Sequence, residues 1–243
     1  MVEINVEIWY NLYKGCIYKK KVISDIRLYK SSVKNEFGSF ITESFAGTKL
    51  NAIIKRIAMK LRENNFSFGI YDHLYINFTI CDITEEVELS NDIDNYHPWY
   101  RYCNVKINEN LFDSLDNDVS ISLIISHVEK ILCLFVLENF DLDKIKSCIS
   151  QALEQKENML MKYKEKETNK GKVVIYLRFL DTCEYFPLLR LFDKTGALLI
   201  EEDLPKSLTL DYIGELLVKK ESIIIKPKQN VYTKCLDNIV INY

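Results

Sequence analysis

The sequence predicts an α+β fold: antiparallel sheets with helices packed on them, one helix running strongly buried through the centre. Three observations carry this. Short segments alternate apolar and polar residues, as in HLYINFTIC (73–81), which is the period of a half-buried strand. Longer segments place apolar residues three and four apart, the period of an amphipathic helix. Strand–strand–helix–strand is the order in both halves of the chain, rather than strict strand–helix alternation, which argues against repeated βαβ units.

In chain order, Val2, Ile4, Val6 and Ile8 alternate with polar residues as a first strand, and Lys14-Gly15 turns the chain. CIYKKKVISDIRLY (16–29) reads as a second, less regular strand. Thr48 can cap a helix whose apolar face is Leu50, Ile53, Ile54, Ile57, Ala58 and Leu61, ending at Glu63-Asn64-Asn65. HLYINFTIC and YCNVKIN (102–108) are strands. Asp118 can cap the next helix, striped by Ile121, Ile124, Ile125, Val128, Leu132 and Phe135. Another begins near Asp141, buries Ile145, Cys148, Ile149, Ala152 and Leu153, and would carry Lys162, Lys164 and Lys166 in its last turns. KEKETNKGK (164–172) is the one candidate lobe boundary, dividing an α+β lobe over 1–166 from a smaller α+β lobe over 172–243 that can complete the same domain. Beyond it, KVVIYLRFL, FPLLRLF and ALLIEE are strands, with a Gly196 turn between the last two. Ser207 would cap a short helix, LTLDYIGELLVKK, and SIIIKP and LDNIVINY close the chain as strands.

The 243 residues suffice for a sizeable core. Val119–Leu137 is apolar enough to raise a membrane helix, but His127, Glu129 and Lys130 interrupt it, and charges in lipid cost about 2.5–3.5 kcal/mol each. Seven widely spaced cysteines without a CxxC pair, and an N-terminal stretch without the pattern of a secretory signal, point to the reducing cytoplasm. The net charge of −3 is uneven: residues 1–70 hold twelve Lys/Arg against six Asp/Glu, while 82–118 hold two against ten. The basic first third is too diffuse for a nucleic-acid patch.

No catalytic motif organises the chain. It lacks HExxH, GxSxG, a P-loop and GxGxxG, and its three histidines are far apart in sequence, so neither a metal nor a cofactor is expected. The acidic run Glu85, Glu86, Glu88, Asp92 and Asp94 and the aromatic stretch Tyr96, His97, Trp99, Tyr100 and Arg101 are the candidate binding residues. Trp, Tyr and Arg dominate binding hot spots, and Pro98 stiffens the segment. The bland alternatives are a solvated acidic loop and an aromatic staple fastening that loop to its own sheet.

FSFGIYDHLYINFTIC (66–81), an acidic loop and YHPWYRYCNVKI (96–107) resemble a family of bacterial immunity proteins from polymorphic-toxin and contact-dependent-inhibition systems. KSSVKNEFGS (30–39) and LNAIIKRIAMKL (50–61) are similar in outline. The likeness covers about the first two-thirds of the chain and nothing beyond Lys172. It implies a cytosolic, non-catalytic protein without cofactor that neutralises one cognate toxin domain. The acidic run would suit a basic toxin such as a nuclease. Two other classes compete: an enzyme whose site is assembled across the fold, and a nucleic-acid or regulatory binding module.

Overall fold

The computed structural model describes residues 20–32, 45–83, 85–89, 96–115, 117–135, 142–169 and 171–243. The expected strand over 2–8, the turn at Lys14-Gly15, the start of the second strand, and Asp92 and Asp94 lie outside these residues.

The fold is α+β, with three sheets among the described residues. The first comprises β1 (Asp25–Ser31), β2 (His73–Thr79), β4 (Tyr100–Lys106) and β3 (Val87–Leu89), in the order β1-β2-β4-β3. Its strand directions correct the antiparallel expectation: β1, β2 and β4 run parallel, and only β3 is antiparallel to its neighbour. The cause is the connection. Helix α1 (Lys49–Glu63) lies in the stretch between β1 and β2, enough chain to cross over and return in the same direction. β3, a short strand within the acidic run, was not anticipated.

Helix α1 forms as its pattern predicts. Thr48 Oγ1 accepts the Asn51 amide at 3.1 Å, and Leu50, Ile53, Ile54, Ile57, Ala58 and Leu61 are buried. Among the described helices it is the most buried. The expected central one, α3 (Ile121–Leu134), buries a single stripe and leaves Leu123 and Leu134 each 42% exposed. It is preceded by a 3-10 turn, so Ser120 rather than Asp118 holds the cap position. Between β4 and α3 lies the short α2 (Glu109–Ser114), capped by Asn108. Helix α4 (Leu142–Gln155) buries Ile145, Cys148, Ile149 and Ala152, but Leu153 faces outward.

The three lysines expected at the end of α4 sit instead in β5 (Met161–Thr168). A 3-10 turn with Lys156 at φ 50° ends the helix. The following MKYKEKET alternates with period two, which suits a strand better than a helix. β5, β6 (Gly171–Leu177), β7 (Leu188–Asp193) and β8 (Leu198–Asp203) form an antiparallel sheet. The charged stretch 164–172 thus spans the end of β5 and the start of β6, which pair with each other as a hairpin. Gly171 is required there: a Cβ would lie 2.0 Å from the Phe192 carbonyl oxygen.

The helix expected after Ser207 is absent. That segment runs through turns into β9 (Leu216–Val218), which pairs with β10 (Ser222–Ile225), itself paired with β11 (Ile239–Asn242). Gly214 explains part of this: its backbone approaches Pro227 so closely that a Cβ would come within 2.5 Å of the Pro227 carbonyl carbon. Among the described residues, 171–243 hold strands, loops and one 3-10 turn, with no α-helix.

One buried cluster joins α1, α3 and α4 to one face of the first sheet, through Ile26, Leu28, Leu74, Ile76, Phe78, Cys103 and Val105. A second joins β6 and β7 to β9 and β10. Tyr163 and Leu210 pack against both. No described helix is long and apolar enough to cross a membrane.

Candidate functional site

Strand periodicity divides the first sheet into two faces. On the second face the register aligns Asp25–His73–Tyr100, Arg27–Tyr75–Tyr102 and Tyr29–Asn77–Asn104 across β1, β2 and β4. Aromatic contacts run along it: Tyr29–Tyr75 at 5.7 Å, Tyr75–Tyr102 at 5.4 Å and Tyr75–Tyr100 at 4.8 Å between ring centroids. The Arg27 guanidinium lies 5.4 Å from the Tyr75 ring centre. Burial, then a hydrogen bond with Tyr100, pushes the Tyr75 hydroxyl far above its ordinary range.

At the start of β2 and β4 the row meets the segment 96–100. The His97 ring stacks on Tyr100 at 4.6 Å and 4°, and Trp99 stands edge-on to both. The His73 ring lies 4.8 Å from Tyr100. Asp72 organises the charges: Oδ1 is 2.6 Å from His73 Nδ1, and Oδ2 accepts Lys21 Nζ at 3.2 Å. Lys21 Nζ also sits 4.3 Å from the Trp99 ring centre, a cation–π contact. The Trp99 carbonyl accepts the Asp72 amide at 3.0 Å, so the stretch is fastened to its own sheet as the staple reading requires. Yet Trp99, His97 and Tyr100 remain half-exposed, and Tyr96 is 87% exposed. Arg101 differs. It shares the face of Leu74, is 5% exposed and lies over the Tyr71 ring.

The acidic candidates lie elsewhere. Glu85 and Glu86 are exposed beside β3, and Glu88 is half-buried opposite Asn104. The Glu86 carbonyl accepts the Lys106 amide, six residues along β4 from Tyr100, a separation of about 20 Å at strand rise. Glu86 is bound to Lys130 Nζ at 2.9 Å, and Lys130 holds its carboxyl below the usual range. Its other neighbour is His127 Nδ1 at 3.5 Å. Glu86 therefore pairs at the opposite end of β4 from the aromatic candidates. Glu86 serves an ion pair with α3, and Asp92 and Asp94 fall outside the described residues.

Sequence reading missed Lys21 and the role of Asp72. Two signals point to Asp72 and none to Lys21: Asp72-His73 are adjacent, and the period of two sets His73, Tyr75, Tyr100 and Tyr102 on one face. Cys103 is core, with its thiol pushed up to about 12 by burial, and Cys81 is half-exposed beyond the end of β2. Among the described residues no group of three or more His, Cys, Asp or Glu is placed to hold a metal ion. Comparison with protein-family models, curated proteins and solved structures finds no match.

Proposed function

We propose that this chain is a non-catalytic immunity protein that binds and neutralises a cognate bacterial toxin domain in the cytoplasm, with Tyr96, His97, Trp99 and Tyr100 at the centre of the contact. The observation that carries this reading is the pre-organised, half-exposed aromatic cluster. Such a cluster loses little conformational entropy on binding and brings large contact area with polar handles. The two sequence stretches that carry the family resemblance lie side by side as β2 and β4, which also supports it. Glu85 and Glu88 would lie at the rim, where charge sets the association rate more than the affinity. Arg101 would support the face from beneath.

The test is co-expression with the product of the adjacent reading frame, scoring growth and co-purification together. Killing by that product alone, rescue and retention by this chain, and loss of retention in the Tyr96→Ala/Trp99→Ala double variant are the expected results. A harmless neighbour that does not co-purify would overturn the reading.

A second reading rests on the 2.6 Å Asp72–His73 pair, which orients an imidazole as a general base is oriented. It requires His73 for biological activity. Unchanged biological activity in a folded His73→Gln variant would remove it.

A further inference from the structure

The 13-residue connection from β10 to β11, residues 226–238, presents apolar side chains to solvent on a fixed backbone. Tyr232 is 89% exposed, Val231 76% and Leu236 45%. Thr233 is the buried residue of its tip and the pin. Its hydroxyl contacts the Lys228 carbonyl and the Asn230 carbonyl, and accepts the Asn230 amide at 3.1 Å. Asn230 Oδ1 accepts the Tyr232 amide at 2.9 Å, and the Leu236 amide reaches the Thr233 carbonyl at 3.0 Å. At the base, the Gly214 amide donates to the Lys226 carbonyl at 2.7 Å, and Gly214 abuts Pro227. An open groove of about 510 Å³ runs through the loop, with Pro227, Val231 and Leu236 as its apolar lining and Lys226, Lys228 and Lys234 along it.

We infer that this loop is a docking surface for an acidic, extended segment of a protein partner, with Tyr232 as the anchor and an apolar side chain of the segment in the groove. The inference is independent of the toxin reading and uses a different part of the molecule. Long structured loops with exposed aromatics are commonly functional, and a loop already held in shape binds at low entropic cost. The charge decides the partner. Lys234 has no ion-pair partner among the described residues, while Lys226 and Lys228 reach Glu215 at 3.1 Å and Asp211 at 3.7 Å. The groove lining itself holds these three lysines and no carboxylate, which suits a few carboxylates of a short segment, while Glu215, Asp211 and Asp237 beside it leave too weak a positive field for a nucleic-acid backbone.

The full chain, immobilised, is offered a displayed library of random twelve-residue peptides. Enrichment of Asp/Glu-rich peptides with an interspersed apolar residue is expected. The selected peptide, synthesised, should bind more weakly as salt rises, about tenfold or more weakly to Tyr232→Ala, and a few-fold more weakly to Lys234→Glu. Both side chains are exposed, so thermal melting should not change. Four outcomes overturn the inference: no enrichment, enrichment of basic or uncharged peptides, recovery of the same peptides on the Tyr232→Ala/Lys234→Glu variant, or equally tight binding of an oligo-dT strand. A dimer in sedimentation that this double variant abolishes would assign the surface to self-association and also overturn it.

Discussion

The first sheet and the sheet of β5–β8 treat alternation differently. In β6 and β7 the alternating apolar residues Val173, Ile175, Leu189 and Leu191 are core, and β8 at the edge is almost wholly exposed. In β2 and β4 the same alternation conceals burial on both faces: after the first residue, every position of β2 is buried, and in β4 every one from Arg101 to Val105. Asn77 and Asn104 are 1% and 0% exposed, bonded to each other at 3.0 Å. Alternation therefore reports which residues share a face and not whether that face meets water. A buried polar face costs desolvation unless its bonds are made, and in exchange fixes one arrangement of strands. This is the scaffold under the aromatic cluster.

The largest expected effect comes from Arg56, which is 1% exposed on α1. It donates to the Phe179 carbonyl at 2.9 Å and to Asp181 Oδ1 at 2.8 Å, tying α1 to the 179–185 loop beyond β6. Arg56→Ala should lower unfolding free energy by about 3–4 kcal/mol, since it removes a buried side chain and both bonds. Arg56→Met should lose less, because Asp181 is 35% exposed and can turn to water. Equal losses in denaturant titrations would show that the bonds, and not the packing, hold the two regions together.

Asn77→Ala should cost about 1–3 kcal/mol by leaving the buried Asn104 oxygen without its donor. A loss no greater than that of an exposed substitution would break the comparison, because the polar face would then contribute nothing to the strand arrangement.

Asp25 sharpens it through pH. Burial alone would raise its pKa, but Lys55 at 2.9 Å and Arg27 at 3.0 Å outweigh burial and hold it below the ordinary value. A depressed carboxylate contributes stability above its unfolded pKa of about 4 and loses it as pH falls through the folded value. Asp25→Asn should be less stable than the parent at pH 7, by about 1–3 kcal/mol, and should narrow that gap in melts run towards pH 3. His127 contributes in a milder window. Burial first, then Lys130, lowers its pKa, with Glu86 opposing. The stability this confers is present above about pH 6.5 and falls as pH drops below it, so His127→Gln should flatten the melting profile there.

Helix α1, β2, β4 and the β5–β8 strands after 171 were legible because each is a long periodic segment with its own cap or turn, as with Thr48 and Gly196. The parallel direction of β1, β2 and β4 was not, since period-two patterning is the same for either direction. The Ser207 helix failed because Gly214 and the pairing of Leu216–Val218 with β10 override local helix propensity. At the candidate site, the aromatic grouping of Trp99 and Tyr100 was legible from residue type. Their distance from Glu86 was not, because it depends on β3 pairing with the far end of β4.

The smallest expected effect lies on β8. Leu199 is 57% exposed and falls where the β7–β8 register slips by one residue. It is the extra residue of a bulge on an edge strand, a device that discourages edge-to-edge pairing. Leu199→Ser should change stability by no more than about 0.5 kcal/mol, because little apolar area is returned to water. The same change at Leu189, fully buried at the centre of the sheet, removes a core side chain and should cost several times more. A large loss at Leu199 would mean that β8 is covered in solution, and the contrast between an open edge and a doubly buried first sheet would no longer hold.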